Sequence, residues 1–239
     1  MNKIFPYELR RLLGGKFFLG LPAISLLYAW QLLSRSVILG VADTAPFSPW
    51  SFGCYLGGLQ PLLGLTLLFL LWEQGREQAR SMELLASATP TSPGRYRLTK
   101  ALAAAAAWLL LALGLCLLGL GFLSRLFGDA VQALALLWPA LVLLLPALAF
   151  LLGGGLWLAR RRPALAAIPL ALALLVSYLP LPLCLDLCGS RLFSQYPLTL
   201  GQPDPAFSLP PAAWVMRGVY LTLGCSCFFL AVRHKRNHS

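Results

Sequence analysis

Long apolar runs without a single Asp, Glu, Lys or His recur along this chain of 239 residues. Only 11% of the residues are charged and 59% are hydrophobic, whereas soluble domains usually carry about 25% charged residues. A chain this poor in charge cannot cover a water-facing surface, so lipid must be its solvent. Because a spanning helix takes about 20 apolar residues, the sequence predicts an all-α integral membrane protein with a single domain over 1–239.

Six of these runs are long enough to be predicted as transmembrane helices. Their expected bounds are 17–34, 51–72, 101–123, 131–158, 163–182 and 213–232. Prolines and glycines interrupt the fourth run. Between the spans we expect a cytoplasmic segment at 73–100 and an extracellular loop at 183–212.

The positions of the basic residues predict the orientation. With a cytoplasmic N-terminus, fifteen Lys and Arg residues fall on inner segments and four on outer ones, as the positive-inside rule requires. The prediction is therefore a multi-pass protein of a bacterial plasma membrane, with both termini in the cytoplasm. The net charge of +11 comes from basic residues at the ends of the spans, which set the orientation in the membrane, and it does not indicate a nucleic-acid partner. Tryptophans near predicted span ends fit the interfacial belt; those at outer ends are Trp30, Trp50, Trp138 and Trp214.

Residues 1–16 mix apolar and basic types and predict an amphipathic helix on the inner surface of the bilayer. The apolar residues expected on one face are Ile4, Phe5, Leu9, Leu12 and Leu13, and those mostly opposite are Glu8, Arg10 and Arg11. A signal peptide is the alternative, but no small-x-small cleavage site follows the apolar run.

The spans lack the groups that carry chemistry in membranes. Charges inside a bilayer mark proton relays and ion paths, and only Arg217 falls within a predicted span, near its outer end. No cluster of His or carboxylates predicts a catalytic metal. The string at 13–16 lacks the spacing of a nucleotide-binding loop. We therefore expect no enzyme activity and no cofactor in this chain, and any energy for transport must come from elsewhere.

Two cysteines, Cys184 and Cys188, flank Asp186 beyond the fifth predicted span. They could bind a soft metal, although further ligands are missing, or they could be an incidental pair that is oxidised outside the cell.

The segment 73–100 is the least ordinary part of the chain. Its charges are interleaved at helical spacing, with i,i+3 pairs such as Glu73–Arg76 and Arg80–Glu83. This pattern predicts a short amphipathic helix that continues the second span and stops at 89–94. Such a helix is either a solvated link between spans or a docking element for a cytoplasmic partner.

This segment resembles the corresponding loop of ABC-2 type transporter permeases. The matching residues are Glu83-Leu84-Leu85, Ala86-Ser87-Ala88, Pro90, Arg95 and Lys100. The six spans, the N-terminal amphipathic helix and the outer loop with Tyr196-Pro197-Leu198-Thr199 are also similar to that family, including its lantibiotic-immunity, peptide and multidrug export permeases.

The resemblance implies two permease copies, identical or homologous, and a separate cytoplasmic ABC ATPase dimer that binds ATP and Mg²⁺. The residues it implies for ATPase coupling are Glu73, Arg76, Glu77, Arg80, Met82, Glu83, Leu84, Leu85 and Pro90. The expected function is export or expulsion of a peptide, antibiotic or other amphiphile. The alternatives are the substrate-capturing membrane component of a vitamin importer and a helical membrane protein without transport activity.

Overall fold

The computed structural model describes residues 4–75 and 93–233, and in these ranges the chain is helical with no strand. Five of its helices are long and apolar enough to cross a membrane. The all-α architecture with several membrane-length helices is therefore confirmed. The α-helices are α1 (Ile4–Leu13), α2 (Lys16–Arg35), α3 (Pro49–Gly75), α4 (Pro93–Phe127), α5 (Ala133–Ala159), α6 (Ile168–Tyr178), α7 (Ser190–Thr199) and α8 (Pro211–Arg233).

Helix α3 is the centre of the bundle, and it packs against α2, α4, α5 and α7. Buried polar side chains join it to α4: the Tyr55 hydroxyl donates to the Leu115 carbonyl at 2.8 Å, and Trp108 Nε1 donates to the Leu63 carbonyl at 2.9 Å. These contacts show that the two helices run antiparallel. Donors that are fully withdrawn from solvent need such partners because an unpaired one is costly.

Helices α5 and α8 run parallel and approach so closely that only glycine fits between them. A Cβ atom built on Gly153 would lie 2.8 Å from the carbonyl carbon of Gly224. Close approach through small residues is the usual way in which membrane helices gain packing energy. Beyond the end of α5, Arg160 Nη1 donates to the carbonyls of Leu230 and Ala231 at 3.1 and 2.8 Å.

Because α5 and α8 are parallel, the chain must return along the bundle between them. It does so through a 3₁₀ turn, Pro163–Ala167, followed by α6. We predicted a span over 163–182, but the α-helix is shorter, since Pro180 disfavours helical geometry at Leu179. The turn and helix together extend about 26 Å, slightly less than the hydrocarbon thickness.

The fourth predicted span is continuous. Pro139 and Pro146 lie inside α5 without ending it, as membrane helices tolerate when neighbours satisfy the freed backbone groups. Another difference is that α4 begins at Pro93, eight residues before the predicted third span. Arg95, Arg97 and Lys100 therefore belong to its first turns.

The two ends of the bundle differ in charge. We call the end that holds α1 and the C-termini of α3, α5 and α8 the basic end. At the opposite end lie four arginines and four aspartates, which cancel: Arg35, Arg125, Arg191, Arg217, Asp43, Asp129, Asp186 and Asp204. The charges at this end sum to zero, so the net charge of +11 comes from the rest of the sequence.

Candidate functional site

A buried polar junction at the basic end joins the two flanks of the segment 73–100. Gln74 Nε2, in the last turn of α3, donates to the Lys100 carbonyl at 2.7 Å. Lys100 Nζ, in the second turn of α4, donates to the Gln74 carbonyl at 3.3 Å. Both residues are buried. The ends of α3 and α4 are thus held together by reciprocal hydrogen bonds.

Helix α1 is attached to the same junction. Tyr96 Oη, on α4, donates to Glu8 Oε1 at 3.3 Å, and Arg11 Nη2 lies 3.0 Å from Glu8 Oε2. Lys100 Nζ sits 5.4 Å from the centroid of the Tyr96 ring, which is within cation–π range. A single network therefore connects α1, α4 and α3.

The prediction for Glu8 was wrong. We placed it mostly opposite the apolar face of α1, but it is only 1% exposed, because it faces α4 and is bound by Tyr96 and Arg11. The apolar residues Phe5, Leu9 and Leu13 pack against the core and Leu12 belongs to it. Arg10 is exposed. The apolar face of α1 thus packs on the bundle.

Of the predicted coupling residues, only Glu73 lies within the described residues. Glu73 lies in the last turn of α3, half-buried beside Gln74. The amphipathic helix predicted after α3 lies outside the described residues and stays a prediction. The coupling residues that lie there are Arg76, Glu77, Arg80, Met82, Glu83, Leu84, Leu85 and Pro90.

Sequence reasoning missed Gln74 and Tyr96, and it named Lys100 as a matching residue of the ABC-2 resemblance but not as a member of a buried polar network. Gln74 and Lys100 are 26 residues apart along the chain, so no helical spacing connects them. The available signal was that Gln74 and Lys100 each stand where an apolar stretch of the sequence borders a polar one.

The junction predicts the effect of removing the Glu8 carboxylate. In Glu8→Ala, Tyr96 and Arg11 lose their contacts with the buried Glu8 carboxylate, and we expect a loss of about 2 kcal/mol in unfolding free energy. The measurement is thermal unfolding in detergent, with proteolysis at α1 as a local readout. The Arg10→Ala variant removes an exposed charge on the same helix and should match the parent. Equal behaviour of the two variants would show that the network does not hold α1.

A second buried polar cluster lies at the opposite end. The Asp186 carboxylate accepts from Ser177 Oγ at 2.6 Å and from the backbone N–H groups of Arg191 and Leu192 at 2.8 and 3.3 Å. These N–H groups belong to the first turn of α7, so the carboxylate caps a helix N-terminus.

Arg217 on α8 completes this cluster. It is 3% exposed, and its guanidinium donates to the carbonyls of Leu187 and Asp186 at 2.6 and 2.8 Å. Tyr220, one turn later, donates to the Leu185 carbonyl at 2.7 Å. Arg217, the charged residue inside the sixth predicted span, therefore holds the loop before α7 in place through hydrogen bonds.

Aromatic side chains fasten α7 and the loop that follows it to α3. Trp50 is fully buried, donates through Nε1 to the Pro205 carbonyl at 2.9 Å, and packs against Phe207 with centroids 4.9 Å apart. The ring of Phe193 lies over Gly53, where a Cβ atom would collide with it. Trp50 is thus a packing residue and not the interfacial residue that we predicted.

Cys184 and Cys188 are both free thiols in the loop between α6 and α7. Burial raises the pKa of the Cys188 thiol, which disfavours the thiolate that metals and oxidants require. Over residues 4–75 and 93–233, no group of three or more His, Cys, Asp or Glu side chains could hold a metal ion. The cysteine pair is therefore not part of a metal-ligand cluster among these residues.

Comparisons of the chain with protein-family models, with curated proteins and with solved structures found no match. Its function must consequently be argued from its own residues.

Proposed function

We propose that this chain is the membrane-spanning permease subunit of an ATP-binding cassette exporter of the ABC-2 type. A separate cytoplasmic ATPase dimer would dock on the basic end, and its closure would reach the spans through the segment 73–100. The proposal rests first on the resemblance of that segment to the loop of ABC-2 permeases.

The observation that carries the proposal is the polar junction formed by Glu8, Gln74, Tyr96 and Lys100. A plain link between two spans needs no buried network at its base. Here both flanks of the segment are joined by hydrogen bonds, and α1 is attached to the same site. A force applied to the segment would therefore move α3 and α4 together instead of being absorbed by a flexible hinge.

The arrangement of helices supports six crossings of a bacterial plasma membrane with both termini in the cytoplasm. Parallel α5 and α8 require a returning pass, and the stretch of 3₁₀ turn and α6 runs along the bundle between them. The basic end would face the cytoplasm, in agreement with the positive-inside rule.

The cargo that suits these helices is an amphiphile, a peptide or an antibiotic. The helices carry no acidic side chain from Pro49 to Leu71 or along α5, α6 and α8, so these parts provide no counter-charge for a cation. A second copy of the chain, or a homologous permease, would complete the path.

Charge reversal in the coupling segment tests this function. In Glu83→Lys, or in Arg76→Glu with Arg80→Glu, we expect ATP hydrolysis by the co-purified ATPase to lose most of its stimulation by the permease, while membrane insertion is unchanged. Docking would fail because complementary charges across an interface set partner choice. The measurement is ATPase activity of the reconstituted complex.

The matched control is Arg35→Glu with Arg125→Glu, two exposed arginines at the opposite end of the bundle. This control should keep full stimulation. If the variants in the segment couple as well as the control does, the segment is only a link between spans, and the proposed coupling role is refuted.

A further inference from the structure

Several arginines gather where α5 and α8 end side by side. Arg160 holds the two helix ends together through the carbonyls of Leu230 and Ala231. Arg161, Arg162 and Arg233 are exposed around it. We call these four arginines the α5–α8 arginine cluster.

The cluster has little acidic charge near it. No Asp or Glu occurs on α5, on the turn Pro163–Ala167, on α6 or on α8. The acidic side chains described at the basic end are Glu8, which Arg11 binds, and Glu73 on the neighbouring α3. Within residues 4–75 and 93–233, neither Arg161, Arg162 nor Arg233 forms an ion pair. Three exposed cations therefore lack a counter-charge from the described part of the protein.

The positions of these arginines match the headgroup level of a bilayer. The guanidinium of Arg161 lies 5.2 Å from the centroid of the Trp157 ring, and tryptophan favours the membrane–water interface. One turn before Arg233, on the same face of α8, Phe229 is 62% exposed. Ile168 and Leu172 are exposed on α6, directly after the turn that follows Arg162. The exposed arginines of the cluster therefore lie at the ends of the exposed apolar surfaces of α6 and α8.

We propose that the α5–α8 arginine cluster binds the headgroup of an anionic phospholipid, whose acyl chains lie along the exposed apolar residues of α6 and α8. Guanidinium groups bind phosphate oxygens in a bidentate geometry that lysine cannot match. The adjoining apolar surface favours a lipid over free phosphate, because free phosphate would gain nothing from Phe229 or Leu172. The inference does not depend on the transport function.

The test is titration of the detergent-purified chain with phosphatidylglycerol, with bound lipid counted by native mass spectrometry. In Arg161→Gln with Arg233→Gln we expect the affinity for the lipid to fall about 25-fold, since each arginine near an anionic surface contributes about a fivefold factor in affinity. The matched control is Arg10→Gln with Arg95→Gln, which removes the same charge from exposed positions of α1 and α4 at the same end. The control should bind as the parent does.

Equal weakening in both double variants would mean that general surface charge attracts the lipid, and the proposed site would be overturned. The same holds if neither variant weakens binding, if phosphatidylcholine binds as tightly, or if millimolar inorganic phosphate displaces the lipid completely. Arg162→Gln with Arg233→Gln is a second variant that leaves the Arg161–Trp157 contact in place. It should also lower affinity, and unchanged thermal unfolding without lipid will show that folding is intact.

Discussion

Replacing Gly224 with alanine is expected to separate α8 from α5 and to cost about 3 kcal/mol or more of unfolding free energy. A Cβ atom at this position would lie 2.5 Å from the backbone nitrogen of Phe150 and closer still to the carbonyl group of Ala149. These atoms belong to the backbone of a facing helix, so no side-chain rotation can make room. Thermal unfolding in detergent and recovery of monodisperse protein are the measurements.

A second glycine on the same helix provides the control for this prediction. A Cβ atom added at Gly218 would meet no atom within 4 Å outside the backbone of its own helix, so Gly218→Ala should leave stability unchanged or raise it slightly. Similar losses in both variants would mean that α8 tolerates no added side chain at either position. No loss at Gly224 would contradict the parallel contact of α5 and α8, and with it the returning pass through α6.

Replacing Arg217 with methionine should release the loop between α6 and α8, with a loss of about 3 kcal/mol. The carbonyls of Asp186 and Leu187 would lose these donors in a buried site, and the Asp186 carboxylate would lose a neighbouring cation. The cap on α7 should then weaken as well. Limited proteolysis of the loop, together with thermal unfolding, measures both effects.

The control is Arg125→Met, which removes an exposed arginine near the end of α4. It should behave as the parent does in both measurements. If Arg217→Met leaves the loop as resistant to protease as Arg125→Met does, the hydrogen bonds of Arg217 do not hold the loop.

The membrane class of the fold could be predicted because apolar length and charge content decide it directly. The same reasoning overestimated the fifth span, where apolar residues continue to Pro182 but the α-helix stops at Tyr178. A hydropathy scale does not include the effect of Pro180 on the backbone of Leu179. Hydropathy also gave no sign of α7, a ten-residue helix of low hydropathy that starts after Gly189 in the left-handed conformation and is capped by Asp186.

The buried polar clusters were harder to predict than the spans. Glu8 was placed opposite the apolar face because a carboxylate was expected to face water, and its partner Tyr96 is 88 residues away along the chain. Arg217 gave a real signal, since a single charge inside a span needs a partner. The sequence could not show that the partners would be backbone carbonyls of a loop about thirty residues earlier. Such contacts depend on tertiary packing and leave no periodic pattern.

The measurement that tests the central claim most directly is the composition of the complex that a tag on this chain retrieves from native membranes in mild detergent. The proposal predicts a cytoplasmic ATPase that carries a phosphate-binding loop of the GxxxxGK[ST] type, present with two permease copies and stimulated by them. Charge reversal at Glu83 should remove most of that stimulation. A chain that purifies as a functional unit without any ATPase would contradict the claim.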